Sequence, residues 1–137
     1  MYKRQALGNV HELYLDNCTG ITDVSALGNV HKLSLNGCTN LTVIRDLINV
    51  SILDISSCNN IEEVDNLPNA IDLKAISCYS LQVLRNLPKV QSLDASNCYV
   101  LQEISHIPDD IPNIDIRGCD DLNEIKCMKR TIKLRHS

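Results

Sequence analysis

With 137 residues, 44% of them hydrophobic, the chain has the size of one domain and enough apolar material to pack an interior. It contains no Trp or Phe and 4 Tyr, so that interior must be aliphatic. The 13 Lys+Arg against 17 Asp+Glu leave a net charge of −4, which lacks the basic footprint of non-specific nucleic-acid binding, and no apolar run approaches the roughly 20 residues of a membrane span.

In chain order, the opening MYKRQALGNV lacks the apolar stretch of a signal peptide. Residues 1–9 predict a partial turn with Leu7 in frame. From there the cysteines set the ruler: Cys18, Cys38, Cys58, Cys78 and Cys98 are 20 residues apart, and Cys119 follows after 21. Residues 10–128 divide into six repeats on this period. Position 1 of the frame is Val10, Val30, Val50, Ala70, Val90 and Ile111. Position 4 is Leu13, Leu33, Leu53, Leu73, Leu93 and Ile114, and position 6 is Leu15, Leu35, Ile55, Ala75, Ala95 and Ile116. The cysteines hold position 9. Positions 12, 15 and 18 are again aliphatic, from Ile21, Val24 and Leu27 to Leu122, Ile125 and Met128. No frame position carries a charge.

Positions 4 and 6 alternate with polar neighbours, the period-2 signature of a strand with one buried face. Identical strands at a fixed period stack most simply in parallel. A strand of about 5 residues, a helix of about 11 and two connections of about 4 would exceed the period, so the return path has no room for a full helix. Pro68, Pro88, Pro108 and Pro112 on the return favour extended or short 3₁₀ backbone. The predicted fold is a helix-poor solenoid with a parallel β-sheet on one face. Residues 129–137 form a basic tail in which Ile132 and Leu134 predict a short seventh strand over the last repeat. Ala70, Ala75 and Ala95 thin the core of the fourth and fifth repeats, which predicts lower stability there or repacking by a neighbour.

The pattern L-x-x-L-x-L-x-x-C resembles the leucine-rich repeat in its Cys variant over roughly Leu7 to Met128. The wording ALGNVHELYLDNC, repeated as ALGNVHKLSLNGC, also resembles short repeat proteins of large DNA viruses of amoebae, marseilleviruses among them. A weaker likeness, through NLPN and NLPK, is to the 20-residue repeats of secreted bacterial effectors. The first resemblance implies a leucine-rich-repeat solenoid, and the second a viral protein working in the host cytoplasm or the virion.

A 20-residue spacing lays Cys18, Cys38, Cys58, Cys78, Cys98 and Cys119 in a line rather than around a zinc ion. In-register side chains keep Cβ atoms near 4.8 Å, beyond the roughly 3.5–4.5 Å that a disulfide prefers. The expectation is a ladder of free, buried thiols in a reducing, intracellular setting, with no metal or cofactor. Cys127 stands off this ladder and is the more reactive candidate. His11 and His31 share position 2 and predict a surface pair. The acidic residues from Asp109 to Glu124 lack the glycine-punctuated alternation of a calcium loop, and the basic tail is expected to pair with them.

No phosphate loop, metalloprotease helix or nucleophile elbow occurs, so the expectation is a protein without catalytic activity. Solenoids bind through their strand face. Its outward positions 3, 5 and 7 are mostly small, polar or acidic, with Ile52 and Ile76 as exceptions and Ile71 nearby. Tyr79 and Tyr99 hold one position in successive repeats and should stack. Together with Tyr14 these give a candidate protein-binding surface of Ile52, Ile76, Tyr79, Tyr99 and Tyr14. Alternative readings are a substrate-recognition region of an effector or a self-assembling structural protein. Self-association through the first strand, Val10 to Leu15, would protect its exposed edge.

Overall fold

A computed structural model describes residues 10–135, which wind into a β-solenoid of six turns. One face is a parallel sheet of β1 (Glu12–Tyr14), β2 (Lys32–Ser34), β4 (Ile52–Asp54), β6 (Asp72–Lys74), β8 (Ser92–Asp94) and β10 (Asn113–Asp115), in that spatial order. Its register is the sequence frame itself: Leu13, Leu33, Leu53, Leu73, Leu93 and Ile114 face one another across the ladder. Helix is confined, among the described residues, to one 3₁₀ turn at Ser25–Leu27.

The return segments are more ordered than the expectation of merely extended backbone. They build a second parallel sheet from β3 (Val43–Arg45), β5 (Glu63–Asp65), β7 (Val83–Arg85), β9 (Glu103–Ile107) and β11 (Glu124–Cys127). The reason is the same period. Once one face stacks in register, the returns also lie one strand spacing apart, and pairing with each other satisfies their N–H and C=O groups. Ile44, Val64, Leu84, Ile104 and Ile125 form the matching inward row.

Left-handed residues connect the faces, two in each turn from the second to the fifth. Asn17, Gly37, Ser57, Ser77, Asn97 and Gly118 bend the chain just before each ladder cysteine, with φ between 59° and 82°. Asp46, Asn66, Asn86 and His106 make the second corner, with φ between 55° and 61°. Asn and Asp tolerate this region because their short side chains bond locally. The first turn places Ala26 where later turns have Asp46 or Asn66. Alanine gains nothing from the left-handed region, and the chain there adopts the right-handed Ser25–Leu27 turn instead.

Between the sheets runs one continuous aliphatic core that includes Ala70, Ala75 and Ala95, all fully buried. The C-terminal end departs from the sequence frame in two ways. First, His106 bulges out of β9, so Cys127 pairs with Ile107 and takes the inward place assigned above to Met128, which is 48% exposed. Cys127 therefore packs against the core rather than standing apart from the frame. Second, the seventh strand forms as β12 (Thr131–Lys133), but it joins the second sheet and runs antiparallel to β11. The short connection from Cys127 to Thr131 permits only a hairpin, and a hairpin reverses direction. The tail does meet the acidic region: Lys133 Nζ lies 2.6 Å from Glu124, and Arg130 reaches the Asp109 carbonyl at 2.6 Å. The partial turn expected over residues 1–9 lies outside the described residues.

Candidate interaction surface

The thiol row is built by the left-handed corners. Each corner turns the following cysteine inward, where its sulfur donates to a backbone carbonyl of the preceding turn. Cys38 bonds Leu15 at 3.1 Å, Cys58 bonds Leu35 at 3.0 Å, Cys78 bonds Ile55 at 3.1 Å, Cys98 bonds Ala75 at 2.9 Å and Cys119 bonds Ala95 at 3.0 Å. All seven cysteines are free, and these five are buried, whereas Cys18 and Cys127 are half-buried. Burial pushes Cys58 up to about 11 and Cys119 up to about 12. Contact with the Cys98 sulfur, together with burial, raises Cys78 as well. Cys127 is also raised by burial, with Arg130 opposing and Asp109 and Asp110 adding to the shift. Half-burial leaves Cys127 more accessible than the five buried thiols, while its raised pKa keeps its thiolate fraction low.

The five candidate surface residues do not form one patch. Tyr79 and Tyr99 do stack, with ring centroids 5.6 Å apart and planes 3° from parallel. They stand beyond the corner that ends the first sheet, and Tyr79 borders an open polar groove of about 550 Å³ with Glu62, Gln82 and Gln102. Ile76 lies at the corner itself and is half-buried. Its N–H bonds the Ser56 hydroxyl of the neighbouring turn at 3.2 Å. Tyr14 sits on the outermost strand of the first sheet, where its hydroxyl bonds Glu12 at 3.0 Å and Lys32 approaches its ring at 5.7 Å. His11 and His31 also meet, with centroids 4.4 Å apart.

Ile52 keeps different company. It starts β4, and Ile71 lies immediately before its ladder neighbour Asp72; the N–H groups of Ile71 and Asp72 both bond the Ser51 carbonyl. Ile48 projects from the corner leading into the same strand. The three isoleucines are 46% (Ile48), 40% (Ile52) and 42% (Ile71) exposed, and Pro68 follows Ile48 one turn on. Ile48 escaped the sequence reading because it lies between the inward residues Leu47 and Val50, where an apolar residue blends with the frame. The signal was available: Gly28, Pro68, Pro88 and Pro108 hold the same corner position, which marks it as outward.

The second sheet presents charge instead. Glu63 accepts from Arg45 at 2.7 Å and from Arg85 at 3.0 Å, and Arg85 also reaches Asp65 at 3.0 Å. Burial opposes ionisation of Asp65, but hydrogen bonds from Asn86 and Arg85 hold its pKa below the usual carboxylate value. Opposite charges on adjacent strands cancel along this face, which leaves the isoleucine corner as its apolar counterpart on the first sheet.

Among the described residues no group of His, Cys, Asp or Glu converges as metal ligands, and no helix is long and apolar enough to cross a membrane. Compared with known proteins, the chain matches no family model, no curated protein and no solved structure.

Proposed function

We propose that this chain is a non-catalytic protein-interaction module whose partner docks on the isoleucine corner of the first sheet. The observation that carries this reading is the grouping of Ile48, Ile52 and Ile71, each at least 40% exposed on a scaffold that turns most of its aliphatic residues inward. Their neighbours Lys32, Asp54 and Asp72 and the more distant Lys74 supply a polar rim of both signs, the arrangement of an apolar anchor within a charged border. The backbone beneath is held by ladders on both sides, so binding would cost little ordering. The repeat wording supports placing the module among Cys-type leucine-rich repeats of the amoebal-virus kind. The buried free thiols favour a reducing, intracellular setting.

The test is quantitative affinity purification with cross-linking, using wild type, Ile52→Asp with Ile71→Asp, and Arg45→Ala as a control on the opposite face. Specific partners should disappear with the double variant and persist with the control. Equal recovery from all three would overturn the proposal.

A further inference from the structure

The C-terminal end of the solenoid is stepped. Among the described residues the second sheet extends one strand beyond the last full turn, through β12, whereas the first sheet stops at β10. On that side the core frame lies open: Ile114 is 36% exposed, although its counterpart Leu93 is 1% exposed, and Ile111 and Ile116 are half-buried. A groove of about 960 Å³ occupies the step, lined by Ile114, Ile116, Cys119 and Leu134 among others. In every earlier turn the N–H at position 6 donates to a carbonyl of the next turn, as Ala95 does to Asp115, and the N–H at position 8 does likewise, as Asn97 does to Arg117. The equivalent N–H groups of Ile116 and Gly118 have no acceptor among the described residues.

We propose that two copies of the chain join by these ends about a two-fold axis, each placing its β12 segment in the step above the other's β10. Residues 131–135 of the second copy suit the vacancy by pattern. Thr131, Ile132, Lys133, Leu134 and Arg135 reproduce the polar–apolar alternation of positions 3 to 7. Ile132 then falls over Ile114 and Leu134 over Ile116, and the carbonyls of Lys133 and Arg135 meet the N–H groups of Ile116 and Gly118. Direction fits as well. The two faces of a coil run in opposite senses, so β12, reversed relative to β11, runs in the sense of β10 and can add to it in parallel.

Charge agrees with this occupant. Lys133 falls beside Asp115, continuing the row in which Lys74 already stands next to Asp94. Arg117 is held by its own Asp115 at 2.6 Å, which offsets its approach to Arg135. Such a contact is isologous and closes, because the same two strands supply both halves. A head-to-tail stack would instead bring the first turn of one copy against the protruding β12 of another. The arrangement lies turns away from the isoleucine corner and stands apart from the function proposed above.

Sedimentation equilibrium across the micromolar range should show a species of twice 15.3 kDa. Asp115→Lys should weaken the dimer by roughly tenfold or more, and adding Lys133→Asp should recover it. Hydrogen exchange on wild type reads the same contact without a variant. Protection at Ile116, Gly118 and β12 should rise with protein concentration while β1 stays constant. A strict monomer, open-ended growth, or concentration-dependent protection in β1 rather than β12 would each overturn the proposal.

Discussion

The Cys58 sulfur donates to the Leu35 carbonyl at 3.0 Å, and the same oxygen accepts the Cys38 N–H at 3.0 Å. One carbonyl thus fastens a turn to its own corner and to the next turn. Because Cys38 remains a donor when the thiol is removed, Cys58→Ala does not orphan the carbonyl. The expected cost is about 1–2 kcal/mol, from lost packing and one hydrogen bond, read as a shift in the urea midpoint.

The thiols should fall into two reactivity classes. Cys38, Cys58, Cys78, Cys98 and Cys119 are buried, so a thiol reagent should reach them only after unfolding. Cys18 and Cys127 should react in the native protein, slowly because burial suppresses the Cys127 thiolate. Rapid modification of all seven under native conditions would contradict the buried row.

Alkaline pH should destabilise the fold through the same groups. The folded-state pKa values of Cys58 and Cys119 are raised from 9.0, so above pH 9 the unfolded chain releases protons that the folded chain retains. Stability is therefore full below about pH 9 and falls through pH 11 to 12, by up to about 1.4 kcal/mol per pH unit for each thiol. Thermal melts of Cys58→Ala should show a shallower alkaline decline than wild type.

At the acidic end, Asp65 works in the opposite direction. Its folded pKa is lowered from 3.8, so its contribution is present above that value and is lost as pH falls below it. Asp65→Asn should flatten the acid limb of the stability curve. Near neutrality it should cost about 1 kcal/mol or less, because Arg85 is partly exposed and retains Glu63.

The corners make a separate prediction. At Gly118, with φ of 82°, an added Cβ would lie 3.2 Å from the Asn97 Cα, so Gly118→Ala should destabilise by about 1–2 kcal/mol. Ser77 occupies the same corner at φ 59° with an ordinary side chain. Ser77→Gly relieves the left-handed penalty, and its melting temperature should match or exceed wild type.

The sequence alone determined the turn length, the inward set and the register of the first sheet. A 20-residue period with aliphatic residues at positions 1, 4, 6, 12, 15 and 18 admits one way to bury every turn, which is stacking in phase. Local pattern also announced the Tyr79–Tyr99 stack, since equal positions in successive turns must be neighbours. Tertiary structure decided what depends on how turns meet at their corners and ends. The second sheet arises because stacked returns have nowhere else to satisfy their backbone groups. The His106 bulge exchanges Cys127 for Met128 in the frame, and no count of residues along the chain reveals where a ladder slips by one. The isoleucine corner and the stepped end are likewise properties of several turns together, since the exposure of Ile48 or Ile114 is set by what the neighbouring coils leave uncovered.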